Sequence, residues 1–316
     1  MKQSTRLVLL SLVLGSAHTI GALTNYLTTA PHSGRFGDQL VLYARAKLVS
    51  HVYGLPLLVR PFGYADQLIL FTKDRKLTFS GTRRLRQQPL DCTAHLLAAA
   101  EKHAPATLYI ANYFTRLDGI NPEQYRQVAI MLRQLIRPRQ RLDLVTPPPG
   151  VISIAVHVRR GGGYTLDRLA RHIFRDKFMS NDYYIKTLRD IAKMFTGHAL
   201  FAYIFTDDQE PLEIIRKFSQ ELEGENITFS CRDGTNSHDK NVLEDFFSMM
   251  TFDCLIRPSS SFSRMAELLG DHKVVISPSG IRFKESPATR LQKILSINPA
   301  LYKISAIPSF FSKVWR

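Results

Sequence analysis

The sequence predicts an α/β protein made of two Rossmann-like domains with a cleft between them. Short apolar runs alternate with helical segments, which is typical of parallel β-α-β units. A proline run at residues 146–150 interrupts this alternation near mid-chain, and consecutive prolines exclude both a helix and a central strand. Hydrophobic residues form 45% of the 316 residues, which is enough for two full cores.

The alternation is uneven before the proline run and regular after it. The first half predicts three strands and three helices, at 23–29, from Gly37 onward, 55–59, 93–102, 107–110 and 122–136. In the second half, the β-branched run at 151–158 predicts a buried strand. The elements predicted after it lie at 181–195, 199–205, 211–222, 227–230, 242–250, 253–256, 262–269 and 273–276. The predicted domains are therefore 23–146 and 150–316.

The N-terminal sequence has the pattern of an export signal. Lys2 and Arg6 flank the start of an apolar stretch at 7–14, and small residues follow at 15–17. The stretch is too short for a stable membrane span. We expect a signal peptide at residues 1–22 and export to the secretory pathway or periplasm. An uncleaved anchor, or a first buried element in a cytoplasmic protein, remains the alternative.

Charge and cysteine content narrow the range of partners. The formal net charge of +15 and the pI near 9.8 favour an anionic partner, such as a nucleotide, a nucleic acid or acidic lipid headgroups. Cys92, Cys231 and Cys254 have no paired spacing, so they predict neither a zinc site nor a disulfide framework. Buried thiols are the expected alternative.

Two arginines and three glycines follow the predicted strand at 151–158. Ligands of open α/β sheets lie at the carboxyl ends of the strands. Arg159 and Arg160 would place two permanent cations there, and guanidinium groups grip phosphate oxygens with paired donors. The glycines at 161–163 would let the backbone approach the ligand. This turn predicts a diphosphate site, unless the arginines are simply solvated.

A second glycine turn, at residues 32–40, joins a predicted strand to a predicted helix. Gly34 and Gly37 allow a tight turn, and the helix N-terminus beyond them offers N–H groups to an anion. Arg35 would add positive charge. Asp38 either belongs to this anion-binding loop or serves as the N-cap of the helix.

Two polar turns follow later strands. Asp207 and Asp208 end one strand, where a carboxylate can accept paired hydrogen bonds from the edge of guanine or cap the next helix. Residues 258–264 are rich in serine. Their hydroxyls and backbone amides would cradle a phosphate, and Phe262 would stack on a base or buttress the loop. A simple serine-rich helix cap is the alternative.

Together these four strings resemble the fucosyltransferase superfamily that uses GDP-fucose, which comprises α-1,2-, α-1,6- and protein O-fucosyltransferases. Residues 157–161 are similar to its His-x-Arg-Arg-Gly-Asp motif. Residues 33–39 resemble the Gly-Arg-Phe-Gly-Asn-Gln loop of the protein O-fucosyltransferases and the Gly-Gly-Leu-Gly-Asn-Gln loop of the α-1,2 enzymes. Residues 206–208 and 260–263 follow in the same order. The resemblance extends from residue 30 to residue 280, although only these strings are distinctive.

The resemblance implies a GT-B fold and an inverting, metal-independent transfer of fucose from GDP-fucose to a glycan or protein hydroxyl. GDP-fucose would be the donor substrate, with no cofactor. The domain at 23–146 would face the acceptor, and the domain at 150–316 would bind the nucleotide sugar.

The resemblance also assigns roles to residues. Arg159 would hold the β-phosphate of the leaving GDP, and Arg160 would assist it or pack structurally. Asp207 would read guanine. The residues expected to bind the donor are Gly34, Arg35, Phe36, Gly37, Asp38, His157, Asp207, Ser260, Ser261, Phe262 and Ser263.

The chain departs from the family pattern at two positions. Gly162 stands where the motif has aspartate, and Asp38 stands where the N-terminal loop has asparagine. A carboxylate that faces a diphosphate is unfavourable unless it is paired, for example with Arg35, Arg159 or Arg160. These departures keep open a catalytically inactive homologue that binds a GDP-sugar.

The catalytic base is not identified by any motif. Asp38, Asp66 and His32 are candidates for the group that activates the acceptor hydroxyl. No Asp-x-Asp string is present to hold a metal ion in the manner usual for glycosyltransferases.

Two other classes of protein are less consistent with the sequence. Basic stretches at 73–76, 83–86 and 137–141 suit nucleic acid, but charge runs are usually solvated surfaces, so no nucleic-acid partner is expected. An NAD(P)-dependent oxidoreductase is disfavoured because the glycines at 161–163 do not form the Gly-x-Gly-x-x-Gly pattern that opens a helix.

Overall fold

The computed structural model describes residues 25–32, 34–78, 85–94, 96, 106–161, 174–232, 236–237 and 239–296. The predicted signal peptide, Gly162 and most of the predicted helix at 93–102 lie outside the described residues. Within the described part of the chain, no helix has the length and apolar character needed to cross a bilayer.

The first half of the chain forms parallel sheets with helices. Strands β1, β5 and β4 form a parallel sheet in that order, and β2 pairs in parallel with β3 beside β1. The elements are β1 (Tyr26–Thr29), α1 (Phe36–Tyr53), β2 (Leu58–Val59), a 3-10 turn (Ala65–Gln67), α2 (Leu70–Lys73), β3 (Arg75–Lys76), β4 (Arg86–Cys92), β5 (Thr107–Arg116) and α3 (Pro122–Leu135).

The second half forms a six-stranded sheet in the order β11-β10-β9-β6-β7-β8, parallel except for β11. The elements are β6 (Ile152–Val158), a 3-10 turn (Arg175–Lys177), α4 (Asn181–Met194), β7 (Leu200–Thr206), α5 (Pro211–Glu221), β8 (Ile227–Cys231), α6 (Val242–Met249), β9 (Cys254–Ile256), α7 (Ser261–Leu269), β10 (Val274–Ser277), β11 (Gly280–Phe283) and α8 (Pro287–Leu295).

The order of this sheet determines where a ligand can bind. The chain passes from β6 to β7 and β8 on one side, and then crosses to β9 and β10 on the other. The winding direction therefore reverses between β6 and β9. In open α/β sheets, the crevice beyond the carboxyl ends of such a pair is the usual ligand site.

The mixed α/β class with parallel sheets is confirmed, and most predicted elements begin and end close to their expected positions. Strand β4 was not predicted. Its sequence is largely polar and contains Pro89, which lacks the N–H that an interior strand donates. The structure places β4 at the edge of its sheet, where proline is tolerated. Strand β11 and helix α8 were not predicted either.

Helix α8 leaves the second sheet and packs against α3 of the first half. Arg45, a buried residue of α1, donates hydrogen bonds to the carbonyl oxygens of Thr115 and Leu295, both at 2.5 Å. Leu295 is the last residue of α8, and a cation at a helix C-terminus is favoured by the helix dipole. The first half of the molecule therefore includes a helix from the end of the described chain.

The first turns of α1 and α7 are in direct backbone contact. A Cβ atom on Gly37 would lie 2.3 Å from the backbone nitrogen of Phe262 and 2.5 Å from its Cα, so no side chain fits at position 37. The Phe262 ring packs against Phe246 and Phe36, with centroids 5.3 Å and 6.4 Å away. The two halves of the chain meet at this point.

We expect Gly37→Ala to destabilise the protein by about 1–3 kcal/mol, because the added methyl group meets backbone that cannot move aside. Helix propensity alone would favour alanine by about 1 kcal/mol, so a loss isolates the steric effect. Urea denaturation measures the change. Gly63→Ala is the matched control, since a Cβ there meets no atom within 4 Å. Equal stability of the two variants would contradict the close contact.

Candidate functional site

A cavity of about 580 Å³ lies where the carboxyl end of the six-stranded sheet meets the N-terminus of α1. Both halves of the chain line it. The lining includes Pro31, His32, Gly34, Arg35, Phe36, Gly37, Asp38, Gln39, Arg60, Phe62, Tyr64, His157, Arg159, Lys177, Thr206, Asp207, Asp239, Lys240, Asp245, Ser260, Ser261 and Phe262. Most of the residues predicted to bind a donor are therefore brought together here.

Arg159 and Ser260 meet at the point where the winding of the sheet reverses. Arg159 follows β6, and Ser260 lies between β9 and α7. The Nη1 atom of Arg159 donates a hydrogen bond of 3.3 Å to the Oγ of Ser260. The guanidinium carbon lies 5.5 Å from the ring centroid of Phe178. These contacts hold a permanent cation at the edge of the cavity.

Arg160 is directed elsewhere and does not line the cavity. Its guanidinium donates to the carbonyl oxygen of Met179, at 3.3 Å, and to the side chain of Asn181. Its backbone N–H donates to Oδ1 of Asp207 at 2.6 Å. Arg160 thus fastens the turn after β6 to β7 and α4. Of the two alternatives left by the sequence, this geometry corresponds to structural packing.

The adjacent carboxylates Asp207 and Asp208 have different surroundings. Asp207 lines the cavity while accepting the Arg160 N–H. Asp208 accepts the backbone N–H of Glu210 at 3.0 Å and lies 3.8 Å from the Nε of Arg160. Asp208 therefore stabilises the turn ahead of α5, and Asp207 is the carboxylate available to a ligand.

Two helix N-termini converge on the cavity. Arg35 is the N-cap of α1 and Ser260 is the N-cap of α7, and neither helix has a side-chain cap. Asp38 lies inside the first turn of α1, where its backbone N–H donates to the carbonyl oxygen of Arg35 at 2.9 Å. Uncapped first-turn N–H groups and the helix dipole both favour an anion. The placement of Ser263 differs from the prediction: it is buried, with its Oγ 3.5 Å from the Ser260 carbonyl oxygen.

Arg35, Arg159 and Lys177 are among the positively charged residues that line the cavity. Lys177 was missed by sequence reasoning, because an isolated lysine in a polar stretch gives no signal. Burial lowers its pKa, and Arg159 and Arg35 lower it further, whereas Asp38 acts in the opposite direction. Asp38 is thus close enough to Lys177 to offset part of the repulsion among the cations.

His157 lies buried near the end of β6, with its ring 5.7 Å from that of Phe262. Burial lowers the pKa of His157 to about 3, and the positive charge of Arg159 and Arg257 contributes to the shift. Its Nδ1 atom is buried and has no hydrogen-bond partner among the described residues. The imidazole is therefore neutral at physiological pH.

A buried ion pair fixes the loop that carries Ser260. Arg257 and Glu267 are both buried and pair at 2.6 Å, and Arg282 joins the same carboxylate at 2.9 Å. Arg257 also donates to the carbonyl oxygen of Pro258 at 3.0 Å. Sequence reasoning missed Arg257, because the sequence pattern of an apolar strand followed by an arginine does not show whether the arginine is buried or exposed.

A second carboxylate that the sequence did not single out, Asp245, lines the cavity from the first turn of α6. One of its oxygens lies 3.6 Å from the guanidinium of Arg232. Burial raises the pKa of Asp245 to about 7. The sequence offered no reason to separate this aspartate from the ordinary acidic residues of a helix N-terminus.

The three candidate bases are placed differently. His32 and Asp38 line the cavity, whereas Asp66 is not among its lining residues. The Nδ1 of His32 accepts the backbone N–H of Gly34 at 2.8 Å, and its ring stacks on that of Tyr113 at 5.9 Å.

No group of three or more histidine, cysteine, aspartate or glutamate side chains that could hold a metal ion occurs among the described residues. All three cysteines are free thiols, and Cys92 and Cys254 are buried.

Comparison with known proteins gives a fold but no close relative. No protein-family model matches the chain, and no curated protein matches it. Among solved structures, it is similar to a mutant of FUT1 from Arabidopsis thaliana in complex with GDP, at 14% identity and a TM-score of 0.53, covering 80% of this chain and 70% of that one. It is also similar to the fucosyltransferase NodZ from Bradyrhizobium, at 14% identity and a TM-score of 0.50, covering 84% and 100%. The chain shares its fold with these fucosyltransferases, which confirms the family resemblance at the level of fold.

Protonation of His157 should destabilise the protein in acid. The unfolded state binds this proton near pH 6.5, and the folded state binds it only near pH 3. The unfolded state therefore holds more protons between these values, and stability falls as the pH drops through this window. The slope should approach about 1.4 kcal/mol per pH unit. Urea denaturation of the wild type and His157→Gln from pH 7.5 to 4.5 measures it, and parallel curves would exclude His157 as the cause.

Proposed function

We propose that this protein is a glycosyltransferase that moves fucose from GDP-fucose to a hydroxyl group of a glycan or protein. In this proposal the donor lies in a cleft between two Rossmann-like domains in a GT-B arrangement. The observation that carries it is the convergence of two uncapped helix N-termini with Arg35 and Arg159 on one cavity. A diphosphate suits such a site better than a neutral ligand does. The shared fold, and the GDP held by one structural neighbour, support the choice of donor.

Arg159 is the central residue of the proposed mechanism. As the sugar leaves GDP, negative charge builds up on the β-phosphate. Arg159 is already held by Ser260 and Phe178, so its guanidinium stabilises this charge without rearrangement. The neutral His157 beside it offers a hydrogen-bonding ring without adding a further positive charge.

The arrangement requires no metal ion, because fixed guanidinium and helix N–H groups supply the positive charge that a cation would otherwise bring. In this scheme Arg160 positions the turn after β6 through the hydrogen bond from its backbone to Asp207. Inversion at the sugar follows if the acceptor hydroxyl attacks from the side opposite to the leaving diphosphate.

Guanine recognition has two candidate carboxylates. Asp207 retains the role implied by the family resemblance, since it lines the cavity. Asp245 lines it as well, and its buried Oδ1 lies 3.6 Å from the guanidinium of Arg232. A carboxylate that accepts the paired N–H groups of guanine would distinguish it from other bases. Phe262 is packed between rings of the core, so we assign it to support of the loop.

Two candidates for the base that activates the acceptor hydroxyl, His32 and Asp38, line the cavity. The Nδ1 of His32 is already bonded to Gly34, so only its Nε2 would face an acceptor. Asp38 has its charge partly balanced by Lys177. This balance allows a carboxylate to stand where the resembled families have asparagine.

Calorimetry with GDP, GDP-fucose, GDP-mannose, UDP-sugars and NADP tests the proposal. GDP and GDP-fucose should bind at least about tenfold more tightly than UDP-sugars, because a site that hydrogen-bonds one base leaves buried groups unpaired with another. Binding of NADP, or salt-sensitive binding of nucleic acid, in the absence of GDP binding would overturn it. Tight binding of GDP-fucose without turnover on any acceptor would identify an inactive homologue.

We expect Arg159→Ala to reduce turnover by about a hundredfold or more while leaving the fold intact, because the variant lacks the group that stabilises the leaving phosphate. Release of GDP from GDP-fucose over a panel of glycan and glycoprotein acceptors measures it. Arg126→Ala is the control, since Arg126 is an exposed arginine paired with Glu123 on the surface of α3. Near-normal turnover in a folded Arg159→Ala protein would remove this residue from the mechanism.

A further inference from the structure

Lys177 lies on the 3-10 turn Arg175–Lys177, and this turn is attached to the candidate site on both sides of the lysine. The carbonyl oxygen of Asp176 accepts the backbone N–H of Ser259 at 2.7 Å. The ring of Phe178 lies 5.5 Å from the guanidinium carbon of Arg159. The residues before and after Lys177 therefore contact the two loops that meet beyond β6 and β9, and Lys177 itself lines the cavity between them.

The charges around Lys177 come from three directions. Arg35 and Asp38 face it from the start of α1, Arg159 from the end of β6, and Arg264 from α7. Three arginines and one carboxylate thus act electrostatically on Lys177. Burial and the three arginines lower the pKa of Lys177, and Asp38 opposes them. Such a cluster is relieved by an anion that carries more than one negative charge.

The side chain of Arg160 does not supply a charge to the cavity, since it is bonded to Met179 and Asn181. A diphosphate held by Arg159 and Arg35 would therefore draw further positive charge from another residue of the lining. Lys177 can supply it, because it lines the cavity and lies close enough to Arg159 and Arg35 for their charges to act on it. Its flexible stem also allows the ammonium group to follow the phosphates.

We propose that Lys177 is a diphosphate-binding residue that contacts the phosphates of bound GDP and fills the assisting role that was one of the two alternatives for Arg160. This inference rests on the proposed function, because it names a further contact to the same donor. The lysine binds the nucleotide only through its phosphates, so it contributes nothing to recognition of guanosine.

The experiment compares GDP and guanosine binding to the wild type, Lys177→Met, Lys177→Arg and Lys186→Met by calorimetry. Lys186 is the charge control, an exposed lysine paired with Asp190 on α4. Lys177→Met should weaken GDP binding about tenfold or more and leave guanosine binding unchanged. Lys177→Arg should retain most of the GDP affinity, and Lys186→Met should retain all of it.

The pH dependence gives a second readout. Because the pKa of Lys177 is lowered in the free protein, wild-type affinity for GDP should fall as the pH rises through that lowered value. Lys177→Arg should not show this fall, since arginine stays charged. Any titration of the nucleotide itself is common to both proteins and cancels in the ratio of their affinities.

The outcomes separate this inference from the proposed function. If the wild type binds GDP and Lys177→Met binds it equally well, the role of Lys177 is wrong and the proposed function stands. If the wild type does not bind GDP, both fail. If Lys177→Met does not fold, the pH profile of Lys177→Arg decides, and a profile identical to that of the wild type overturns the inference.

Discussion

The backbones of Gly37 and Phe262 touch, and this contact brings the first turns of α1 and α7 to one place. Each turn alone is an ordinary helix N-terminus with a weak preference for anions. Side by side they present two sets of uncapped N–H groups to the same cavity. The placement of Arg35 and Ser260, which are the N-caps of these helices, follows directly. So does the position of Arg159, which is bonded to Ser260.

Positive charge gathered in this way opposes folding unless it is balanced, and the molecule balances it in two ways. Outside the cavity lining, the buried Glu267 pairs with both Arg257 and Arg282 and offsets part of their charge, and Arg257 also bonds the loop before Ser260. Inside the cavity, the carboxylate of Asp38 offsets part of the repulsion on Lys177. Arg257 and Arg282 are thus engaged by a carboxylate within the protein, whereas Arg35, Arg159 and Lys177 line the cavity, where an anion can reach them. The difference separates the structural arginines from those that face the cavity.

Sequence reasoning succeeded where a local pattern determines the structure. The β-branched run before Arg159 became the central strand β6, and the glycine loop became the start of α1. Sequence reasoning failed where contacts between residues far apart in the chain determine the position of a side chain or an element. The sequence around Arg160 does not indicate that its side chain bonds Asn181 instead of lining the cavity. The sequence around Lys177 likewise does not indicate that this residue lines the cavity. Strand β4 and helix α8 were missed for a similar reason, since their places depend on neighbours far away in the chain.

The return of α8 to the first half has a mechanical consequence. The chain passes between the two sheets once at residues 136–151 and again at residues 284–286. Any displacement of one half relative to the other must therefore be accommodated by two connections rather than by one. Arg45 fixes the end of α8 by holding the last carbonyl group of this helix. The last carbonyl group of α8 is thereby tied to the interior of the first half, so the two halves are joined through α8 as well as through the segment at 136–151.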